Sequence, residues 1–408
     1  MNKNRKYYVI IILLIGIIII EPFLSLNFGK QVILTKSQYE NMKNISDKYS
    51  RQEKIVNKLK KSFLFKTDEN KLLEGSLRGM IDGFDDPYTV YMNKKEYEDF
   101  SSQIDGSFTG IGILADINSD TSSIIVDYIF PNSPASEAGL KKGDHIIKVD
   151  DESIDIYKNN IKEIFNKIKG EANTKVNLTI KRDNQILNFD IVRRETEIPN
   201  VYSKKIDEIG YIKLLNFDNN SAKNFKSTLT NLKNNNINKL ILDLRDNTGG
   251  LLTEATQICD LFLPPNTIIS YTKDNKNVKT DIKTSKITNP IHIPTVVIVN
   301  ENTASAAELF SGMMQDYKLA TIIGSSTYGK GLVQIFNLLN DGAAIKFTVA
   351  EYFTPNGKKV NKIGIIPDID LTSEMKKQTL NLSPYSDENM ENLFEDVCFN
   401  KALEILNK

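Results

Sequence analysis

The chain has 408 residues, enough at about 150 per domain for roughly two or three domains. Lysine plus arginine and aspartate plus glutamate each total 52, so the formal charge is zero, which excludes the overall positive field of a nucleic-acid-binding protein. The apolar (40%) and charged (25%) fractions are those of a globular protein, while two cysteines (Cys259, Cys398) and two histidines (His145, His292) exclude a disulfide framework, a cysteine-rich zinc site and an HExxH helix.

Lys3, Arg5 and Lys6 precede an apolar run that begins at Tyr7 and extends to about Leu26. About 20 residues at 1.5 Å each cross a hydrocarbon core, and no small-x-small cleavage site follows, so an uncleaved anchor with its positive flank in the cytoplasm is expected. Residues 35 to 62 show loose helical spacing with a thin apolar face. A helix is predicted after Asp68, with Leu72, Leu73, Leu77, Met80 and Ile81 on one face and Gly83 as its stop, followed by the turn Asp85-Asp86-Pro87-Tyr88.

From Gly106 the apolar period becomes two. Ile111, Ile113, Ile124, Val126 and Ile129 fall in strand-like runs, Ser133-Pro134 opens a small helix to Leu140, and Ile146 to Val149 is a strand. A helix carrying Ile161, Ile164, Phe165 and Ile168 ends at Gly170, and two strands flank the Asp183-Asn184 turn. After Pro199, strands at 210–215, 240–244 and 295–299 alternate with helices at 222–232, 251–262 and 304–314, the pattern of a mostly parallel sheet. The polar stretches 231–239 and 273–286 read as surface loops.

Three segments carry chemistry. Asn300 to Glu308 sits where a buried strand turns into a helix, and Ser305 falls in or near the first helical turn, where free amides and the helix dipole favour an anion. A nucleophile there would have the Ala306 amide facing a developing oxyanion; a simple helix cap is the competing reading. In Gly324 to Gln334, the spacing of Lys330 and Gln334 would place both on one strand face, and a desolvated, neutral Lys330 beside Ser305 would serve as its base. A solvated glycine-rich turn competes with that, and a nucleotide-binding loop is disfavoured because Gly331, not Ser or Thr, follows the lysine. Leu242 to Gly250 ends in a glycine pair that lets backbone amides approach a ligand, or forms a plain turn.

Together these segments resemble the carboxy-terminal processing proteases, tail-specific serine peptidases of the Ser/Lys type. The likeness spans residues 65 to 370: Leu72 to Tyr91 is similar to the family's leading helix and Asp-Pro-Tyr turn, and Phe108 to Arg194 to its PDZ domain. It implies an α/β protease core with ββα-type repeats, a β-rich PDZ domain and N-terminal helices, behind the N-terminal membrane anchor. The corresponding divisions are 1–26, 35–97, 98–197, 198–370 and a C-terminal extension, 371–408, that matches no named motif. The resemblance makes Ser305 the nucleophile, Lys330 the general base and Gln334 its positioning partner. It places the oxyanion hole at the Ala306 amide and one of Gly249 or Gly250. Gly110-Ile111-Gly112-Ile113 becomes the loop that takes a substrate's C-terminal carboxylate, the peptide adding as a strand. It implies no metal or cofactor. The expected partners are proteins with accessible C-terminal tails and, through residues 7–26, the membrane; a homo-oligomer is left open. The chain is then expected to be a single-pass protein of the cell membrane with its catalytic part on the extracytoplasmic side. The competing reading is a non-catalytic peptide-binding adaptor on the same fold, which would have no need of Ser305, Lys330 and Gln334 together.

Overall fold

The computed structural model describes residues 34–118, 123–154, 161–284, 290–378 and 392–408. The apolar run at 7–26 lies outside them, and among the described residues no helix is long and apolar enough to cross a membrane. The chain divides into two units after Leu73. In the first, helix α1 (Lys36–Ser62) starts at a capping box in which Gln38 and Thr35 exchange side-chain and backbone bonds, and none of its residues is buried. The division falls within α2 (Glu69–Asp82). The predicted apolar face of α2 is mostly solvated: Ile81 is buried against Tyr91 and Ala343, but Leu72, Leu73 and Met80 are exposed.

In the second unit the Asp86-Pro87-Tyr88 turn leads into β1 (Val90–Met92) and an unforeseen helix, α3 (Lys94–Ile104). A PDZ-like module follows. Strand β2 (Ser107–Gly110) precedes β3 (Ile113–Asn118), β4 (Ser123–Ile129), α4 (Pro134–Ala138), β5 (His145–Val149), β6 (Glu152–Ser153), α5 (Ile161–Ile168), β7 (Lys175–Arg182) and β8 (Gln185–Val192). The chain leaves through β9 (Arg194–Glu197), paired antiparallel with β2. The predicted alternation buries Ile124, Val126, Ile146, Val176, Leu178 and Ile180 in one core, and Ser133 caps α4 through the Ser136 amide as its sequence implied.

The rest of the chain builds two sheets. One runs in the order β10 (Val201–Ile206), β11 (Ile209–Leu214), β12 (Lys239–Asp243), β15 (Thr295–Val299), β16 (Thr321–Gly324), β19 (Ile369–Asp370), and is parallel beyond the β10–β11 pair. Helices α6 (Ser221–Asn234), α7 (Leu252–Cys259) and α8 (Ala306–Asp316) cover one face with Phe225, Ile258 and Phe310. The opposite face, carrying Tyr211, Ile241, Val296 and Ile298, is covered from the C-terminal extension. There α9 (Thr372–Lys377) and a 3-10 turn at Asn392–Glu395 lead to α10 (Val397–Leu406), which inserts Cys398, Phe399 and Ala402. A sheet buried on both faces explains the near-continuous apolar runs of β11 and β15.

The second sheet is antiparallel, β1-β18-β13-β14 with β17 beside β18, formed by β13 (Ile268–Asp274), β14 (Lys279–Lys283), β17 (Leu332–Leu338) and β18 (Ala344–Phe353). It corrects the loop expected over 273–286, whose described residues, 273–284, are the end of β13, a turn and the second strand of a hairpin. In β14 only Ile282 packs on the core while Lys279, Thr280 and Asp281 face solvent, so the segment has the composition of a loop and the geometry of an edge strand.

Phe399 is fully buried, with its ring edge-on to Tyr211 at 5.8 Å. Phe399→Ala is expected to cost about 3–5 kcal/mol, read as a lower denaturant midpoint of the full chain.

Candidate active site

The loops leaving the carboxyl ends of β12, β15 and β16 bring together the three segments singled out in the sequence, at the sheet edge where open α/β folds place ligands. The turn from β15 into α8 is tied to the β12 loop at several points. Thr303 Oγ1 donates to the Leu244 carbonyl, the Asn300 and Asp246 side chains and backbone exchange bonds, and the Ala304 amide donates to the Asn247 carbonyl. Ser305 is the N-cap of α8 and lies at φ 55°, a left-handed conformation that costs a non-glycine residue of order 1–3 kcal/mol. Its amide donates to Glu308 Oε2 at 2.8 Å and its carbonyl accepts from the Tyr352 hydroxyl at 2.8 Å, which holds the strained turn from both sides. Ala306 is therefore the first helical residue, and its amide belongs to the set with no intrahelical acceptor.

Gly249 lies against this turn. At its φ of +99° an added Cβ would sit 2.7 Å from the Ser305 Cβ and 2.9 Å from the Ala306 nitrogen, so only glycine permits the approach. The Gly249 amide is engaged by Asn247 Oδ1 at 2.9 Å. Gly250 is exposed and is anchored by Phe217, whose amide bonds the Gly249 carbonyl and whose carbonyl accepts from Leu251.

Lys330 is not on a strand, as its spacing suggested, but in the loop between β16 and β17. Gln334 lies on β17 just past a bulge, with Nε2 3.3 Å from Thr348 Oγ1. The bulge breaks the simple alternation assumed from sequence, yet both side chains line one cavity of about 430 Å³ together with Ser305, Gly249 and Gly250. Neither histidine lines this cavity; His145 Nδ1 is 2.9 Å from Ser123 Oγ within the PDZ-like sheet.

The Lys330 ammonium is half-buried over the Tyr88 ring, 4.7 Å from its centroid. Burial first, and then the like charge of Lys346, push its pKa below the ordinary lysine value, against the opposing pull of Asp86 and Glu308. Lys346 lines the same cavity and is lowered by burial too, with Asp86 opposing. Asp86 is fixed by bonds from the Tyr88 amide and the Thr89 hydroxyl.

Sequence reasoning passed over Glu308, and the structure makes it central. Its fully buried carboxylate accepts from the amides of Ser305, Gly329 and Lys330 and from the Thr327 hydroxyl, at 2.5–2.8 Å. The Ser-x-x-Glu spacing from Ser305 to Glu308 was a readable capping signal. Lys346, Asp86 and Tyr88 arrive from distant segments; the Asp85-Asp86-Pro87-Tyr88 turn was legible in the sequence, but its place beside Lys330 was not.

In the PDZ-like module, Gly110, Ile111, Gly112 and Ile113 surround a slot of only about 40 Å³ between β3 and α5. Gly112, at φ +83°, packs where an added Cβ would be 2.2 Å from the Ser133 Cβ. A bulge interrupts the pairing of β3 with β4 between Leu114 and Ala115.

Comparison with known proteins identifies the family. Residues 208–371 match the model of peptidase family S41, residues 109–192 that of the PDZ domain, and residues 24–96 that of the N-terminal domain of the activating protease CtpB. The chain is 35% identical over 328 residues to the carboxy-terminal processing protease CtpA of Bacillus subtilis, covering 79% of this chain and 68% of that one. It is 32% identical over 396 residues to a "Probable CtpA-like serine protease" of Staphylococcus epidermidis, covering 94% and 78%. Among solved structures, a Bacteroides fragilis protein described as an S41 protease superposes with a TM-score of 0.54 at 16% identity, over 85% of this chain and 92% of that one, a likeness of fold.

Glu308→Ala would leave three buried or half-buried amides and a hydroxyl without their acceptor. Peptide hydrolysis is expected to fall by about 10²-fold or more in kcat/KM, with Glu308→Gln, which keeps one acceptor oxygen, falling between the two. Steady-state kinetics on the three proteins checks this.

Proposed function

The chain belongs to peptidase family S41 as a serine protease of the carboxy-terminal processing type, and from that premise we propose that it cleaves its substrates through a Ser305/Lys330 dyad. The observation that carries this reading is the sharing of one cavity by a serine on a strained turn, a half-buried lysine whose pKa is depressed, and a glycine turn packed against both the serine and the next amide. Neutral Lys330 takes the proton of the Ser305 hydroxyl as Oγ attacks the scissile carbonyl. The Ala306 amide and, because the Gly249 amide is occupied by Asn247, the Gly250 amide stabilise the oxyanion. Lys330 then returns the proton to the leaving amine, and water hydrolyses the acyl-enzyme by the same route in reverse. Gln334 and the Tyr88 ring keep the amine in line.

The PDZ-like module is proposed to take the substrate's C-terminal carboxylate on the amides of the Gly110–Ile113 loop, the tail adding as a strand beside β3. The slot there is narrow, so tail entry requires α5 and β3 to part. Tyr7 to Leu26, with its basic flank, supports a membrane anchor that leaves the catalytic part outside the cytoplasm.

Ser305→Ala and Lys330→Ala are each expected to abolish degradation of an unfolded tagged protein while leaving its binding intact; unaltered proteolysis in either variant would remove the dyad.

The pH dependence follows from the direction of the Lys330 shift. Only the neutral amine accepts a proton, so kcat/KM rises as pH rises through a value below that of a free lysine. Lys346→Met removes a like charge, raises the Lys330 pKa and moves this rising limb to higher pH, whereas Lys346→Arg retains the charge and leaves it in place. The pH profiles of the two variants provide the comparison.

A further inference from the structure

The S41 match ends at residue 371, yet the extension beyond it reaches the foundation of the catalytic loops. Asp396 caps α10, its Oδ1 accepting from the Phe399 amide at 2.6 Å. Its other oxygen, Oδ2, accepts from Arg245 Nη1 at 2.7 Å. Asp396 is 2% exposed and Arg245 7%, so the pair is dry. The remaining edge of the guanidinium is held by Asp243, Nη2 donating to Oδ2 at 2.6 Å and Nε to Oδ1 at 3.0 Å. Asp243 also accepts from the Tyr211 hydroxyl at 2.8 Å and lies 3.7 Å from the Lys213 ammonium. The buried cluster thus holds two cations, Lys213 and Arg245, and two anions, Asp243 and Asp396, and the second anion comes only from the C-terminal extension.

Arg245 occupies the step between the end of β12 and the turn that carries Gly249 and Gly250. Two residues further on, Asn247 donates from its side chain to the Leu214 carbonyl, accepts the Ala304 amide on its own carbonyl and accepts the Gly249 amide on Oδ1. The direction in which Arg245 leaves the sheet therefore sets where Asn247 stands, and Asn247 sets the distance of the glycine turn from Ser305. A buried ion pair contributes little net stability over an apolar replacement of the same volume, but it holds its partners in one geometry, which fits a cluster at the root of a catalytic loop.

We propose that Asp396 is a positioning residue for the protease reaction, acting through Arg245 on the Gly249–Gly250 turn, so that the C-terminal extension completes the oxyanion site from the opposite face of the sheet. This rests on the reading that the turn stabilises the oxyanion formed by Ser305.

The test uses the full chain carrying Asp396→Asn, Asp396→Glu, or the paired change Arg245→Met with Asp396→Leu, which removes both partners should the single changes fail to fold. Competent enzyme is counted by titration with a fluorophosphonate, kcat and KM are measured separately on a peptide substrate, and the affinity of a peptide boronate reports on the tetrahedral state. For Asp396→Asn and for the folded paired variant, kcat is expected to fall about 10- to 100-fold with KM within about twofold, boronate affinity weakening in proportion and the rising pH limb staying in place. Asp396→Glu, which keeps the charge, is expected to recover part of kcat. Wild-type kcat per titrated site in either folded variant, a change confined to KM, or a displaced pH limb would overturn the proposal. Ser305→Ala and Lys330→Ala run alongside: activity surviving in them overturns the dyad itself, whereas their inactivity beside an unaffected Asp396→Asn refutes the positioning role alone.

Discussion

A carboxylate with no solvent exposure has to find its hydrogen bonds within the protein, and Glu308 finds four, from two different parts of the chain. One is the amide of Ser305, at the start of its own helix. The others come from Thr327, Gly329 and Lys330, on the loop that leaves the parallel sheet after β16 and enters the antiparallel sheet at β17. The dry carboxylate therefore joins the two sheets at the point where the candidate nucleophile and base must meet. Because three of its donors are backbone amides, it fixes chain position rather than side-chain rotamers. It also compensates the left-handed turn at Ser305, whose amide is pinned by Oε2 while Tyr352 pins its carbonyl.

How much of this was legible follows from where each signal resides. The parallel strands read clearly because burial on both faces leaves unbroken apolar runs, as in Thr295 to Val299, and the helices between them carry ordinary periodicity. Ser305, Lys330 and the glycine pair could be singled out as candidates because they sit in short local segments at strand ends. The antiparallel sheet could not. Lys279 to Lys283 is a solvated edge strand with the composition of a turn, and Leu332 to Leu338 exposes four of its seven residues, so neither has an alternation to detect. Helix α3 was missed for a similar reason: Lys94 to Ile104 is mostly polar and presents only a short apolar stripe. Glu308 had a local signature that the small residues around it obscured. Nothing local placed Lys346, Asp86 or Asp396 in these roles, since their partners stand 16 residues away in the first case and more than 150 in the others.

The same distinction explains the C-terminal extension. By composition its last segment, Val397–Leu406, is an ordinary apolar helix, and no motif marks it. In the fold it is the second helical layer that lets the sheet be apolar on both faces, since without Cys398, Phe399 and Ala402 the side chains of Tyr211, Ile241, Val296 and Ile298 would face water. Burial pushes the Cys398 thiol up to about 12, so it packs as an inert apolar group. Once that layer is dry, the charges at its edge must be matched from within, and Asp396 is placed to do so.

A chain this poor in histidine leaves amine chemistry to carry proton transfer on the proposed mechanism, and amines titrate too high to act as bases in water. Two conditions have to hold together. The lysine must be drawn out of solvent, which the Tyr88 ring and the walls of the cavity do by half, and nearby carboxylates must not restore its charge. Asp86 and Glu308 both lean in that opposing direction, but each is already occupied: Asp86 by the Tyr88 amide and the Thr89 hydroxyl, Glu308 by its four donors. Lys346 adds to the effect of burial, because a second ammonium lining the same cavity makes charging the first more costly. Anions so close to the proposed base are tolerable because their hydrogen bonds are committed elsewhere, and the bonds that commit Glu308 tie the backbone amides of Ser305 and Lys330 to one carboxylate.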